Sequence, residues 1–438
     1  MTDRKKLARQ IFRDTLAGID IPATLEQKLQ PSHGVICAGE LRVNLREYRD
    51  ILAISIGKAA VALVQGIDAI LAPEFSYRGI LAGPSKPGRL PDCWDAIAGG
   101  HPVPNEGSFR AGREILRALG KYGRETLVIF LLSGGGSSLV ELPLDENISL
   151  DDFVKLNHAL VTCGAPIGEI NAIRKHLSAV KGGRLAAAAP EAMKLTFGVT
   201  DVPEGQESAL ASGPTLPDPT TIADARRVAQ KYHLLDKLPA SLRAKFDQHS
   251  LVETPKPGDP AFARAKFELL LGRRDLFHHA HVAAEAAGFF TVCDNATDGW
   301  PVEKAAQHLL AQLDAISRSF DDKPVALVAD GEVSSPVTGK GIGGRNSAFV
   351  LACVEKIAGR EVTVLSAGTD GIDGNSPAAG AVADGTTLER ARKIGAAPHD
   401  YYTRSDAFTF FDKLGDAVIT GPTGNNLRDL RILLAGQV

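Results

Sequence analysis

Four segments of this 438-residue chain carry side chains whose types and spacing could do chemistry. In SIGKAA at 55–60, Lys58 follows a glycine and an apolar run and stands at the start of a periodic helix. A cation there adds to the positive end of the helix dipole and favours an anion. The segment is not a Walker A loop, because no glycine lies five residues before Gly57 and no Ser or Thr follows Lys58. Lys58 is therefore either an anion ligand or a solvated lysine. In LSGGGSS at 132–138, Gly134, Gly135 and Gly136 expose backbone N–H groups with no Cβ in the way, and Ser137 and Ser138 add hydroxyls. That set suits a phosphate. Its rival reading is a tight strand-to-helix turn.

The third segment is NAIRKHLSAVKGGR at 171–184. On one continuous helix Asn171, Arg174, Lys175 and Ser178 share a face, as do Arg174, Ser178 and Lys181. The face is either solvated or a cationic wall for a carboxylate or phosphates. The fourth runs from DGE at 330–332 through GKGIGGRN at 339–346 to SAGTDGIDGNS at 366–376. Gly339 to Gly344 formally matches GxGxxG, but the preceding strand ends near Ala329, too early for a dinucleotide fingerprint. The better reading is a loop that delivers Arg345 to a helix start, where it can offset charge on a transferring phosphoryl group. Asp370, Asp373 and Asn375 are hard oxygen ligands suited to Mg²⁺, or else Asx-turn residues. Calcium is rejected, since twelve positions from Asp370 end at Ala381 and not at a Glu. Asp201, in TDVPEG at 200–205, ends a strand and could hold a metal or orient a hydroxyl. His101, in GGHPVP at 99–104, sits on a rigid turn. His278, His279 and His281 have no acidic partner in a zinc-like spacing.

Positioning these residues takes alternating strands and helices. Strands are expected at 51–56, 77–82, 126–132, 196–199, 267–271, 291–293, 325–329 and 362–366. Helices are expected at the N-terminus, as a surface helix, and to about Leu71, then over 108–119, 150–162, 170–189, 274–287, 301–318 and 344–357. The alternation implies mostly parallel sheets covered by helices on both faces. Pro239, Pro255, Pro257, Gly258 and Pro260 mark a connector near 235–265. Two α/β domains follow, at 1–250 and 251–438.

The composition is that of an ordinary globular protein, with 44% apolar and 23% charged residues. A net charge of -3 argues against a nucleic-acid or lipid-surface partner. No apolar run is long enough for a membrane span or signal peptide. Five scattered cysteines without CxxC spacing argue against disulfides and zinc and for a reducing cytoplasm.

Taken in order, SIGKAA, GGHPVPNEGSFRAGREIL at 99–116, LLSGGGSSL at 131–139, INAIRKHLSAVKGGRLA at 170–186, TDVPEG, ASGPT at 211–215, GEVSSPVTGKGIGGRNSAFVL at 331–351 and SAGTDGIDGNSPAAGA at 366–381 resemble the class II glycerate kinase family. Members of that family were often named hydroxypyruvate reductases. The resemblance implies ATP- and Mg²⁺-dependent phosphorylation of D-glycerate to 2-phosphoglycerate. It also implies a larger Rossmann-like N-terminal domain, a smaller C-terminal α/β domain and an active site in the interdomain cleft. The key lysine and arginine of the family fall on Lys58 and Arg345. The expected phosphate set is Gly134, Gly135, Gly136, Ser137, Ser138 and Lys181. Asn171, Arg174 and His101 are expected to meet the substrate, and Asp201, Asp370 and Asp373 the metal. One departure is that relatives often carry an Asp near the Glu204–Gly205 positions. The alternatives are an NAD(P)H-dependent hydroxypyruvate reductase and a kinase for a longer sugar acid. Glycerate and ATP are the expected partners, and the oligomeric state is left between monomer and homodimer.

Overall fold

The computed structural model describes residues 3–200, 202, 205–320, 323–425 and 427–436. It divides into two compact units, Ile21–Leu270 and Met1–Asp20 with Leu271–Val438.

The first unit opens with a small hairpin, β1 (Val35–Ala38) and β2 (Leu41–Asn44). Its main sheet comprises β3 (Asp50–Ile56), β4 (Arg78–Gly83), β5 (Trp94–Ala98), β6 (Thr126–Ser133), β7 (Met193–Val199) and β8 (Ala265–Leu271). The order across the sheet is β5-β4-β3-β6-β7-β8, and β3 to β7 pair in parallel. All eight residues of β6, TLVIFLLS, are buried. Such an unbroken apolar run needs cover on both faces and suits the middle of a parallel sheet. The strand order reverses between β3 and β6. That is the switch point of a doubly wound fold, where two strand-end loops diverge and leave a crevice.

Capped helices cover this sheet. Glu106–Leu119 starts with a capping box between Asn105 and Ser108, and Leu150–Thr162 with one between Ser149 and Asp152. Each satisfies backbone N–H groups that the first helical turn leaves without partners. The predicted helix over 170–189 breaks. Residues 167–177 are helical, Ser178 is extended and bridges Pro143, and Gly182 and Gly183 take φ of +58° and +82°.

The second unit holds β9 (Phe290–Asp294), β10 (Val325–Asp330), β11 (Val362–Gly368), β12 (Gly380–Asp384), β13 (Ala417–Val418) and β14 (Asp429–Ala435). Their order is β13-β12-β11-β14-β10-β9. Among the described residues only β9 and β10 pair in parallel; the other pairs are antiparallel. The expectation of a mostly parallel sheet thus fails in this unit, because β14 returns between β10 and β11.

The N-terminal helix, Arg4–Gly18, belongs to this second unit and not to the N-terminal domain expected from sequence. Ala8, Ile11, Phe12 and Thr15 are buried. This i, i+3, i+4, i+7 stripe needs an apolar partner, and it finds one on β11, β12, β14 and helix Arg273–Ala286. Lys5 anchors the helix through Asp416 at 2.7 Å. The boundary follows Leu270 and not residue 250, because Ala265–Leu271 completes the first sheet. Among the described residues no helix is long and apolar enough to cross a membrane.

Candidate active site

In the first unit the loops after β3 and β6 leave the switch point side by side. The Lys58 backbone N–H donates to the Gly134 carbonyl at 2.9 Å, and that of Ala59 to Ser133 Oγ at 3.0 Å. The approach is close enough to need glycine. A Cβ on Gly57, whose φ is +130°, would lie 2.1 Å from Ser133 Oγ. Gly135 takes φ +82°, and a Cβ there would sit 3.0 Å from the His101 ring and 3.2 Å from Lys58 Cγ. Lys58, the glycine turn and His101 therefore come together at the switch point.

The contacts continue in a ring. Arg174 donates to Asn157 Oδ1, and Asn157 Nδ2 donates to the Pro102 carbonyl at 3.4 Å, next to His101. Arg174 is half-buried, and burial lowers its pKa from the usual value against the opposing charge of Glu141. One helical turn before it, Asn171 accepts from Ser212 Oγ at 3.0 Å. Ser212 contacts Ser137 Oγ at 2.8 Å, which returns the ring to the glycine loop. Asn157 and Ser212 carried no assigned role in the sequence. Ser212 lies in the ASGPT stretch, which gave a signal, whereas Asn157 is a lone polar residue on a helix and gave none.

Lys181 is a correction. It is 1% exposed, and its ammonium donates to Glu141 Oε2 at 2.6 Å and to the Val140 carbonyl at 3.3 Å. The break after Leu177 turns it inward, beneath the loop, where it cannot meet a phosphate. Burial lowers its pKa, and the Glu141 carboxylate opposes that shift. Lys175 is likewise internal, 3.1 Å from Asp218.

The second unit gathers charge at the joined ends of β10 and β11 and the start of β14. Arg345 Nε lies 2.5 Å from Asp429 Oδ2, and its Nη1 lies 2.7 Å from Glu332 Oε2. Burial works against the guanidinium, but the charges of Asp429 and Glu332 prevail and raise its pKa beyond the ordinary range. Arg428, at φ +88°, pairs with Asp298 at 2.5 Å and Asp330 at 3.4 Å. Arg431 is fully buried and donates to the carbonyls of Asp330 and Gly331.

Two of the three expected metal residues, Asp370 and Asp373, can be placed. Asp201 lies outside the described residues. Asp373 is 1% exposed, and its carboxylate accepts from the backbone N–H groups of Asn346 and Ser347, both at 2.9 Å, and from Ser347 Oγ at 2.6 Å. It anchors the start of helix Arg345–Val354 and is closed off from solvent. Asp370 sits in a surface turn and accepts from the Ile372 N–H at 3.0 Å. Among the described residues no three His, Cys, Asp or Glu side chains converge as a metal cage. An ion entering with a nucleotide as its phosphate complex needs no such cage.

A doubly wound sheet with a glycine turn and a lysine at its switch point defines a doubly wound α/β protein whose switch-point loops form the candidate site. Residues 7–247 match the domain of unknown function DUF4147, and residues 325–429 match the MOFRL family. The chain is 34% identical to the D-glycerate 2-kinase of Thermotoga maritima, over 87% of this chain and 90% of that one. It is 36% identical to an Agrobacterium vitis protein that bears the provisional name hydroxypyruvate reductase, over 88% of this chain and 87% of that one. The crystal structure of a glycerate kinase from Thermotoga maritima superposes with a TM-score of 0.82 at 32% identity, covering 99% of this chain and all of the other. The chain belongs to the glycerate 2-kinase family, a family of kinases.

Proposed function

We propose that the chain transfers the γ-phosphoryl group of MgATP to the 2-hydroxyl of D-glycerate, giving 2-phosphoglycerate and ADP. The supporting observation is the joining of Lys58, the 134–136 turn and His101 at one switch point. Phosphoryl transfer needs positioning and charge stabilisation more than covalent help. The backbone N–H groups of the turn take phosphate oxygens, and Lys58 offsets the charge on the transferring group. Asn171, Arg174 and His101 take the substrate. Arg345, in the second unit, is a candidate cation for a phosphoryl oxygen. For Arg345 this requires an incoming oxygen to displace Glu332, whose side chain is 43% exposed, and not Asp429, at 4%. A Mg²⁺ ion bound to the nucleotide would supply charge neutralisation on the phosphates. The five free cysteines fit a reducing cytoplasm.

The test is a coupled ADP-release assay with D-glycerate, with the product resolved by phosphorus NMR. The expected product is 2-phosphoglycerate. A parallel mixture of hydroxypyruvate and NADH, followed by absorbance, reads the reductase alternative. NADH oxidation without ADP release would overturn the kinase reading. Preferential turnover of a four-carbon aldonate would move the substrate and leave the chemistry in place.

A further inference from the structure

Ala211, Ser212 and Gly213 form a run of three left-handed residues, with φ of +50°, +62° and +61°. Side chains normally visit this region one residue at a time. The run is held from both sides. Gly182 N donates to Ser212 O at 3.1 Å, Gly183 N to Gly213 O at 2.7 Å, and Gly213 N to Leu210 O at 2.7 Å. On the other side Ala211 packs on Gly136, where an added Cβ would meet it at 2.8 Å. Strain held this firmly beside a candidate site points to a function for the residue it presents.

That residue is Ser212, and its hydroxyl has one proton to give. The proton goes to Asn171 Oδ1 at 3.0 Å. The 2.8 Å contact with Ser137 must then be donated by Ser137. Two consequences follow for the groups on either side of Ser212. Asn171 has its oxygen occupied and offers its amide nitrogen as a donor. Ser137 has its proton occupied and offers only lone pairs. Lone pairs repel phosphate oxygens and accept from a hydroxyl. The hydroxyl that attacks phosphorus becomes surrounded by phosphoryl oxygens, which Ser137 would also repel. The group that stays a hydroxyl donor throughout the reaction is the 3-hydroxyl.

We propose that Ser212 is a positioning residue that fixes the hydrogen-bond sense of the substrate end of the site. Ser137 accepts from the 3-hydroxyl of glycerate, and the Asn171 amide donates to its carboxylate. This inference rests on the glycerate 2-kinase reading, and it moves Ser137 from the phosphate set to the substrate set.

The test uses Ser212→Gly, which removes the hydroxyl and relaxes the left-handed backbone, alongside Ser212→Ala and Ser137→Ala. D-lactate, which lacks the 3-hydroxyl, serves as the competing acid. The expected result is a KM for D-glycerate raised about ten-fold in each variant, the size typical of one lost hydrogen bond. The preference for D-glycerate over D-lactate falls by a similar factor, while the KM for MgATP and the melting temperature of Ser212→Gly stay close to wild type. Unchanged glycerate KM and preference in all three variants would overturn the proposal. So would equal rises in both KM values with a lowered melting temperature, the mark of a merely structural role. If the wild type binds D-glycerate in calorimetry but makes no phosphoglycerate, the kinase reading alone fails. The same calorimetric comparison of the two acids, wild type against Ser212→Gly, then decides the inference: equal preference refutes it.

Discussion

The Lys181 ammonium lies 2.6 Å from Glu141 Oε2, and both side chains are buried. Glu141 also accepts from Ser178 Oγ at 2.5 Å and from the Leu142 N–H at 3.0 Å. The pair therefore pins the segment that follows the glycine loop to the segment after helix Ile167–Leu177. Removing one member of a buried ion pair leaves the other charge uncompensated and costs about 3–5 kcal/mol. Lys181→Ala should lose stability of that order in urea unfolding. Lys181→Met combined with Glu141→Gln should recover most of it, since the amide still accepts from Ser178. A Lys181→Ala protein as stable as wild type would show that the pair does not hold the loop.

Gly135→Ala should reduce glycerate phosphorylation by at least about ten-fold while the protein still folds. The left-handed φ of +82° penalises any side chain by about 1–2 kcal/mol. The new methyl would also press on the His101 ring and the Lys58 stem, the two groups the turn is shaped around. Steady-state kinetics and circular dichroism on the same preparation check this. Wild-type turnover would mean that the turn tolerates displacement of both residues and has no close role in the reaction.

The first unit was legible where local chemistry and pattern agreed. Helix Leu150–Thr162 falls where the sequence places it, because Ser149 and Asp152 supply a capping box ahead of the apolar period. The buried strand Thr126–Ser133 and the glycine loop after it were equally plain. Lys181 was misread because helical spacing was carried across Ser178, which is extended, into two left-handed glycines. In the second unit β14 escaped the sequence reading. Asp429 and Arg431 are buried within that central strand, at 3% and 0% exposure, and a polarity pattern expects no such charges there. Tertiary partners account for them: Arg345 faces Asp429, and two carbonyls receive Arg431. The same holds for Arg174 and Asn157, 17 residues apart in sequence and joined only by folding.

Burial raises the Asp330 carboxyl to about 6, against the pull of Arg428 and Arg273. Among the described residues its Oδ1 has no hydrogen-bond partner. An acid with a folded value above its unfolded one, near 3.8, binds its proton more tightly when folded. Its contribution to stability is fully present below about pH 4 and is lost as the pH rises through about 6. Asn carries no such proton. The stability of wild type relative to Asp330→Asn should therefore decline between pH 4 and pH 7, by on the order of 3 kcal/mol. Urea unfolding of both proteins across that range measures it. A difference that stays flat with pH would mean that Asp330 remains ionised throughout.

Lys58 and Arg345 differ in what their loss should do, and the difference separates catalysis from folding. Lys58 is partly exposed in a turn, so Lys58→Ala should cost less stability than the loss of a buried ion-pair member. If its charge serves the transferring phosphoryl group, kcat should fall by about 10²–10³-fold. Arg345→Ala leaves the buried Asp429 carboxylate without its partner, and should lower the melting temperature as well as kcat. Arg345→Lys keeps a positive charge but cannot span Asp429 and Glu332 with one planar group. It should recover part of the stability and little of the turnover. Unfolding curves and steady-state kinetics on the three variants test each of these. Near-normal kcat in both Lys58→Ala and Arg345→Lys would remove the two residues from the reaction, whatever their effect on folding.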